Sequence, residues 1–69
     1  MKFNHSKLLG RMKECGFTQE QLAKAIGISR FTLNAKLNNK FNFDAEEMLA
    51  IAKALNIPLS EFAEYFFTV

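Results

Sequence analysis

Apolar residues recur along this 69-residue chain at three- and four-residue spacing, in short blocks that each close on Gly, Asn or Pro. That period predicts helices. Leu8, Leu9, Met12 and Cys15 form a first stripe, so a helix is expected from Asn4 or Ser6 to Cys15, stopped by Gly16. Leu22, Ala23 and Ile26 form the second. Thr18 opens it with Gln21 three residues on, a capping-box pattern, and Gly27 turns the chain with Ile28 as an apolar plug. Ser29 caps a third helix with Leu33 and Leu37 inward. Asn38-Asn39-Lys40 reads as its stop, because Asn tolerates the left-handed region. Phe41 and Phe43 are expected to pin the following loop. Asp44 and Glu47 repeat the capping-box pattern for a fourth helix with the stripe Met48, Leu49, Ile51, Ala52 and Leu55, ended by Asn56. Pro58 and Ser60 start a fifth, with Leu59, Phe62, Ala63 and Phe66 inward. No segment shows a clear strand pattern. The expectation is an all-α fold, a compact bundle of five short helices in one domain over residues 1–69.

Composition agrees with a small helical domain. The hydrophobic fraction is 49% and eight residues are Phe, enough for a core in a chain near the lower size limit for unaided folding. No run approaches the roughly 18 apolar residues of a membrane span. The first ten residues lack a signal-like apolar stretch. A lone Cys15 closes no intrachain disulfide, so the cytoplasm is the expected compartment.

Charge changes the picture more. The net charge is only +2, but residues 1–40 hold eight cations against two carboxylates, and residues 41–69 hold Lys53 against five. A basic half joined to an acidic half points to one face suited to a polyanion. Catalytic chemistry is poorly represented. His5, expected at the surface, and Cys15, expected as a small core residue, are the only nucleophile–base pair, and no sequence feature unites them. One Cys and one His fall short of the roughly four ligands of a zinc site. There is no glycine-rich phosphate loop. No enzyme activity, metal, cofactor or small-molecule substrate is expected.

Two short helices joined at Gly27, the second polar and basic on one side, form a helix-turn-helix pattern. With Gly16-Phe17-Thr18-Gln19-Glu20-Gln21-Leu22-Ala23, Gly27-Ile28-Ser29, Leu33 and Lys36-Leu37-Asn38-Asn39, the chain resembles the lambda-repressor and Cro-like helix-turn-helix family of bacterial and phage transcriptional regulators. The resemblance spans residues 6–66, and Leu49 through Phe62 is similar to the family's closing helices. It looks most similar to the small Cro-like proteins of phages and prophages. Two departures stand out. Many members carry an Arg–Glu ion pair at the positions of Met12 and Leu37, which here can pack directly, a swap that is often neutral or stabilising. Asn39 replaces a frequent Gly after the third helix.

The resemblance implies a lambda repressor-like DNA-binding domain with the third helix in the major groove. Ser29, Arg30, Phe31, Asn34 and Ala35 are the residues expected to reach base edges. Arg30 can fork onto guanine O6 and N7, Asn34 can pair with adenine N6 and N7, and Phe31 can pack on a thymine methyl. Thr18, Gln19, Lys36, Asn38, Asn39 and Lys40 are the expected backbone contacts, with Arg11 a weaker candidate. Helix N-termini and cations suit phosphates but carry no sequence information. A homodimer on a two-fold symmetric site is expected, since one recognition helix reads too few base pairs. If it neutralises about ten phosphates, log affinity should fall with log salt at a slope of roughly −9. The apolar tail Tyr65-Phe66-Phe67-Thr68-Val69 is the natural place for self-association.

The leading expectation is thus a Cro-like repressor of a phage or prophage, acting on double-stranded DNA in the bacterial cytoplasm, at the nucleoid. Two alternatives use the same scaffold. One is an antitoxin-type autorepressor that grips a toxin through its tail. The other is a protein-binding antirepressor that dispenses with DNA.

Overall fold

A computed structural model describes residues 2–69. Its elements follow the apolar blocks: α1 Ser6–Glu14, α2 Gln19–Ile26, α3 Arg30–Leu37, α4 Ala45–Ala54, a 3-10 turn Leu59–Glu61 and α5 Phe62–Phe66. No strand occurs among the described residues. The molecule is a five-helix bundle in which α2 packs against both α3 and α4, and α1 against α5. Leu8, Leu22, Leu33 and Ile51, one from each of α1 to α4, are fully buried together with Leu55. Met12 and Leu37 are both buried in the same cluster, as direct packing requires.

The helices start where side chains take the free amides. Thr18 accepts from Gln21 N–H and Gln21 Oε1 accepts from Thr18 N–H; Asp44 and Glu47 do the same for α4. Ser29 Oγ accepts from Thr32 N–H at 3.1 Å. At α1, Asn4 Oδ1 takes Ser6 N–H at 2.9 Å.

Four helices end in one way. Gly16, Gly27, Asn39 and Asn56 adopt φ of 76°, 79°, 63° and 53°. Each donates its N–H to the carbonyl three residues back, and its successor donates to the carbonyl five back, as in Ile28 to Ala23 at 3.0 Å and Ile57 to Ala52 at 2.8 Å. This is the Schellman closure, which usually carries an apolar residue just after the left-handed one. Phe17, Ile28 and Ile57 fill that place at three ends and pack on the core. At α3 the place falls to Lys40, which is exposed.

Several expected orientations differ. Leu9 and Leu49 are 42% and 54% exposed, because each stripe is wider than the face its neighbours cover. Leu59 and Ala63 point outward while Tyr65 turns in, since the 3-10 turn rotates the register before α5 begins. Phe43 packs on the core, whereas Phe41 is 65% exposed and lies outside the core cluster. Phe66 is buried and Phe67 half exposed, so the tail folds back only in part. His5 is buried rather than on the surface, its ring edge-on to Phe43 at 5.5 Å between centroids.

Two glycine substitutions separate local conformation from packing. A Cβ at Gly10, inside α1, or at Gly27 meets nothing within 4 Å. Gly10→Ala is expected to stabilise by about 0.5–1 kcal/mol, because helix-interior Gly is entropically unfavourable. Gly27→Ala is expected to cost about 1–2 kcal/mol, because its φ is left-handed. Thermal unfolding should show opposite shifts of several degrees, and shifts of the same sign would contradict this account.

Candidate nucleic-acid interface

The candidate face is built where the start of α2 meets the outward side of α3. Gly27 sets the turn between them, and Ile28 anchors it from within. Asn34 Nδ2 donates to Gln19 Oε1 at 3.1 Å, tying the middle of α3 to the first turn of α2. Asn38 Nδ2 donates in turn to the Asn34 carbonyl at 2.8 Å and to its Oδ1 at 3.1 Å. Ser29 is held by its cap and by Thr32 Oγ1 at 2.8 Å. Two adjoining depressions result. One, of about 280 Å³, is lined by Arg30, Phe31 and Asn34. The other, of about 460 Å³, is lined by Thr18, Gln19, Glu20, Arg30 and Asn34.

The structure brings together Thr18, Gln19, Ser29, Arg30, Phe31 and Asn34. Phe31 is 89% exposed, an extreme value for an aromatic ring. Arg30 is also exposed, and its side chain has no hydrogen-bond or ion-pair partner among the described residues. Ala35, expected outward, is half-buried and offers little surface. Asn38 and Lys40 are exposed at the end of α3.

The side chains of Lys36 and Asn39 are engaged within the fold. The Lys36 ammonium is bound by both carboxylate oxygens of Glu47, with side chains only 13% and 11% exposed. Glu47 meanwhile accepts Asp44 N–H at 2.9 Å, so one carboxylate caps α4 and holds α3. Asn39 turns its amide onto Phe3. Arg11 donates from Nε to Leu55 O at 2.9 Å and from Nη2 to Asn56 O at 3.3 Å, where the end of α4 presents carbonyls. Cys15 Sγ faces the same Leu55 carbonyl at 3.6 Å. Lys7 pairs with Glu64, and that bond raises its pKa above the ordinary lysine value.

Sequence reasoning missed Glu47 as the partner of Lys36 and Glu20 as a wall of the larger depression. A basic residue on α3 with an acidic capping box eleven residues later was the available signal for the first. Glu20 was legible only as a first-turn carboxylate.

The family described as "Protein of unknown function (DUF739)" matches residues 1–69. The chain belongs to this family. Among solved structures this DUF739 chain is similar to the solution structure of the modulator of repression (MOR) of the temperate bacteriophage TP901-1 from Lactococcus lactis. The two are 34% identical with a TM-score of 0.81, over 97% of this chain and 90% of that one. The DUF739 chain is therefore a homologue of a small phage regulatory protein with the same helical fold. No curated protein matches it. No described helix is long and apolar enough to cross a membrane.

The Lys36–Glu47 contact has a direct test. Denaturant unfolding of Lys36→Met, Glu47→Gln and the double variant should give a coupling of about 1–3 kcal/mol, typical of partners in one network. Additive single effects would assign the pair no structural role.

Proposed function

We propose that this chain is a phage regulator of transcription that places α3 in the major groove of double-stranded DNA. One observation supports this most: a Ser29-capped helix presents Arg30, Phe31 and Asn34 outward beside the capped start of α2. Arg30 has no internal partner to satisfy its fork, and a bidentate Arg on guanine is the commonest specific base contact. The Thr18–Gln21 box leaves the Gln19 and Glu20 amides at the α2 start for a phosphate. Size suits pairing as well. The Cα extents are 25 × 25 × 20 Å, so two copies fit side by side on half-sites roughly 34–36 Å apart. The similarity to a phage modulator of repression supports a regulatory role. Binding rather than catalysis is proposed, since His5 and Cys15 each face a backbone carbonyl at a helix end.

A second reading has its own observation. Phe31 is almost wholly exposed, Glu20 lines the same face, and Lys36 is neutralised by Glu47. An aromatic anchor rimmed by mixed charge suits a protein partner as well as a groove. In that reading the face grips another component of phage repression, as an antirepressor does.

Selection from a random DNA pool separates the two, and is expected to return a two-fold symmetric site. Arg30→Ala should then cost about 1–3 kcal/mol on that site and far less on random DNA. With Lys36 and its mate removed from about ten phosphates, the salt slope should be near −7 rather than −9. Failure to enrich any sequence, with Phe31→Ala abolishing capture of a phage repressor protein, would favour the second reading.

A further inference from the structure

The N-terminal residues Phe3 to His5 cross to the far end of α3, although 32 to 36 residues separate them from it in sequence. Phe3 N–H donates to Asn39 Oδ1 at 2.9 Å, and Asn39 Nδ2 donates to the Phe3 carbonyl at 2.8 Å. A primary amide that meets both polar groups of one residue imitates a rung of a β-ladder. His5 Nδ1 donates to the Leu37 carbonyl at 3.0 Å, which fixes the proton on that nitrogen. The same segment reaches the tail through Asn4 N–H and the Thr68 carbonyl at 2.6 Å, and through Phe3 packed edge-on to Phe67 at 5.8 Å.

From these contacts we infer that Phe3–His5 is a strap that positions the C-terminal end of α3, with Asn39 and His5 as its positioning residues. The inference rests on α3 being the reading helix proposed above. The reason for a strap lies in the helix ends. Three of the four left-handed closures are plugged by an apolar successor, Phe17, Ile28 or Ile57, and α3 has exposed Lys40 in that place. Its closing bonds, Asn39 to Lys36 at 3.1 Å and Lys40 to Ala35 at 2.9 Å, therefore lack the hydrophobic contact that accompanies the motif. The strap supplies the missing tertiary hold. Leu37 is also one of the last carbonyls of the helix, which has no partner within it. His5 provides that partner from a buried position. Asn39 thus does two jobs: it takes the left-handed conformation, and its amide fastens the strap. A Gly at 39 can do only the first.

The test uses Asn39→Gly, which keeps the left-handed backbone at no steric cost and deletes the amide, beside His5→Phe, which keeps a ring against Phe43 and deletes Nδ1. Hydrogen exchange by NMR is followed in the full chain without DNA. Asn39→Gly is expected to speed exchange about tenfold at the Phe3 and Lys40 amides, with α1 and α4 unchanged; His5→Phe should do the same at Lys40. Asn39→Asp, which keeps the acceptor but not the donor, should protect Phe3 better than Asn39→Gly does. On the selected DNA site, Asn39→Gly is expected to weaken specific binding several-fold and leave binding to random DNA unchanged. Wild-type exchange at Phe3 and Lys40 in Asn39→Gly would overturn the strap and leave Asn39 a mere turn residue. Wild-type DNA affinity despite faster exchange would overturn its positioning role. If the wild-type chain selects no DNA, the groove reading fails, while the exchange experiment still decides the strap.

Discussion

No helix among the described residues exceeds ten residues, and isolated helices shorter than about 12–15 residues are marginal in water. The governing constraint is therefore closure: each short helix must have its end groups satisfied and one face buried. Side-chain caps open α2, α3 and α4, and left-handed residues close α1 to α4. These closures do more than satisfy carbonyls. Each takes the chain out of the helix at a left-handed residue, and the plugs Phe17, Ile28 and Ile57 fasten three of the four corners to the core. The α2–α3 corner, on which the candidate face depends, is one of these.

The charge asymmetry takes on a different meaning in three dimensions. Part of the basic half is matched by the acidic half inside the fold. Lys36 meets Glu47 between α3 and α4, and Lys7 meets Glu64 between α1 and α5. Arg11 spends its guanidinium on the carbonyls that end α4. Lys7 and Glu64 are both exposed and screened by solvent, so that pair contributes little stability. Lys36 and Glu47 are mostly buried, and removing one would strand the other. Among the described residues, Arg30 at the start of α3 and Lys40 just past its end are exposed and make no ion pair. A polyanion would meet a narrower cationic face than the residue count suggests.

Phe31 and Arg30 sit at the centre of that face, flanked by amides of Gln19, Asn34 and Asn38 already linked to one another. Linked amides lose freedom before binding, so less order remains to be imposed when a partner arrives. A preorganised polar row beside an exposed ring suits base edges and thymine methyls, and it also suits a protein surface with a matching pocket. The similarity to a phage modulator of repression does not choose between these partners.

Helix number, caps and stops were legible in the residues because they depend on local chemistry. Thr18 with Gln21, Ser29, Asp44 with Glu47, Gly16, Gly27, Asn39 and Asn56 each act on backbone groups within five positions. The outward placing of Arg30, Phe31 and Asn34 followed from the opposite placing of Leu33 and Leu37 on one helix. Contacts between distant residues were not legible. Nothing near His5 in sequence predicts its burial, since Leu37 and Phe43 arrive from more than thirty positions away. The same holds for Lys36, whose destination depends on where α4 begins in space. It holds for Asn39, whose conformation was foreseeable and whose amide partner was not. Leu49, Leu59 and Phe41 show the converse: periodicity marks a side chain as apolar, but only the packing of neighbouring helices determines whether anything covers it.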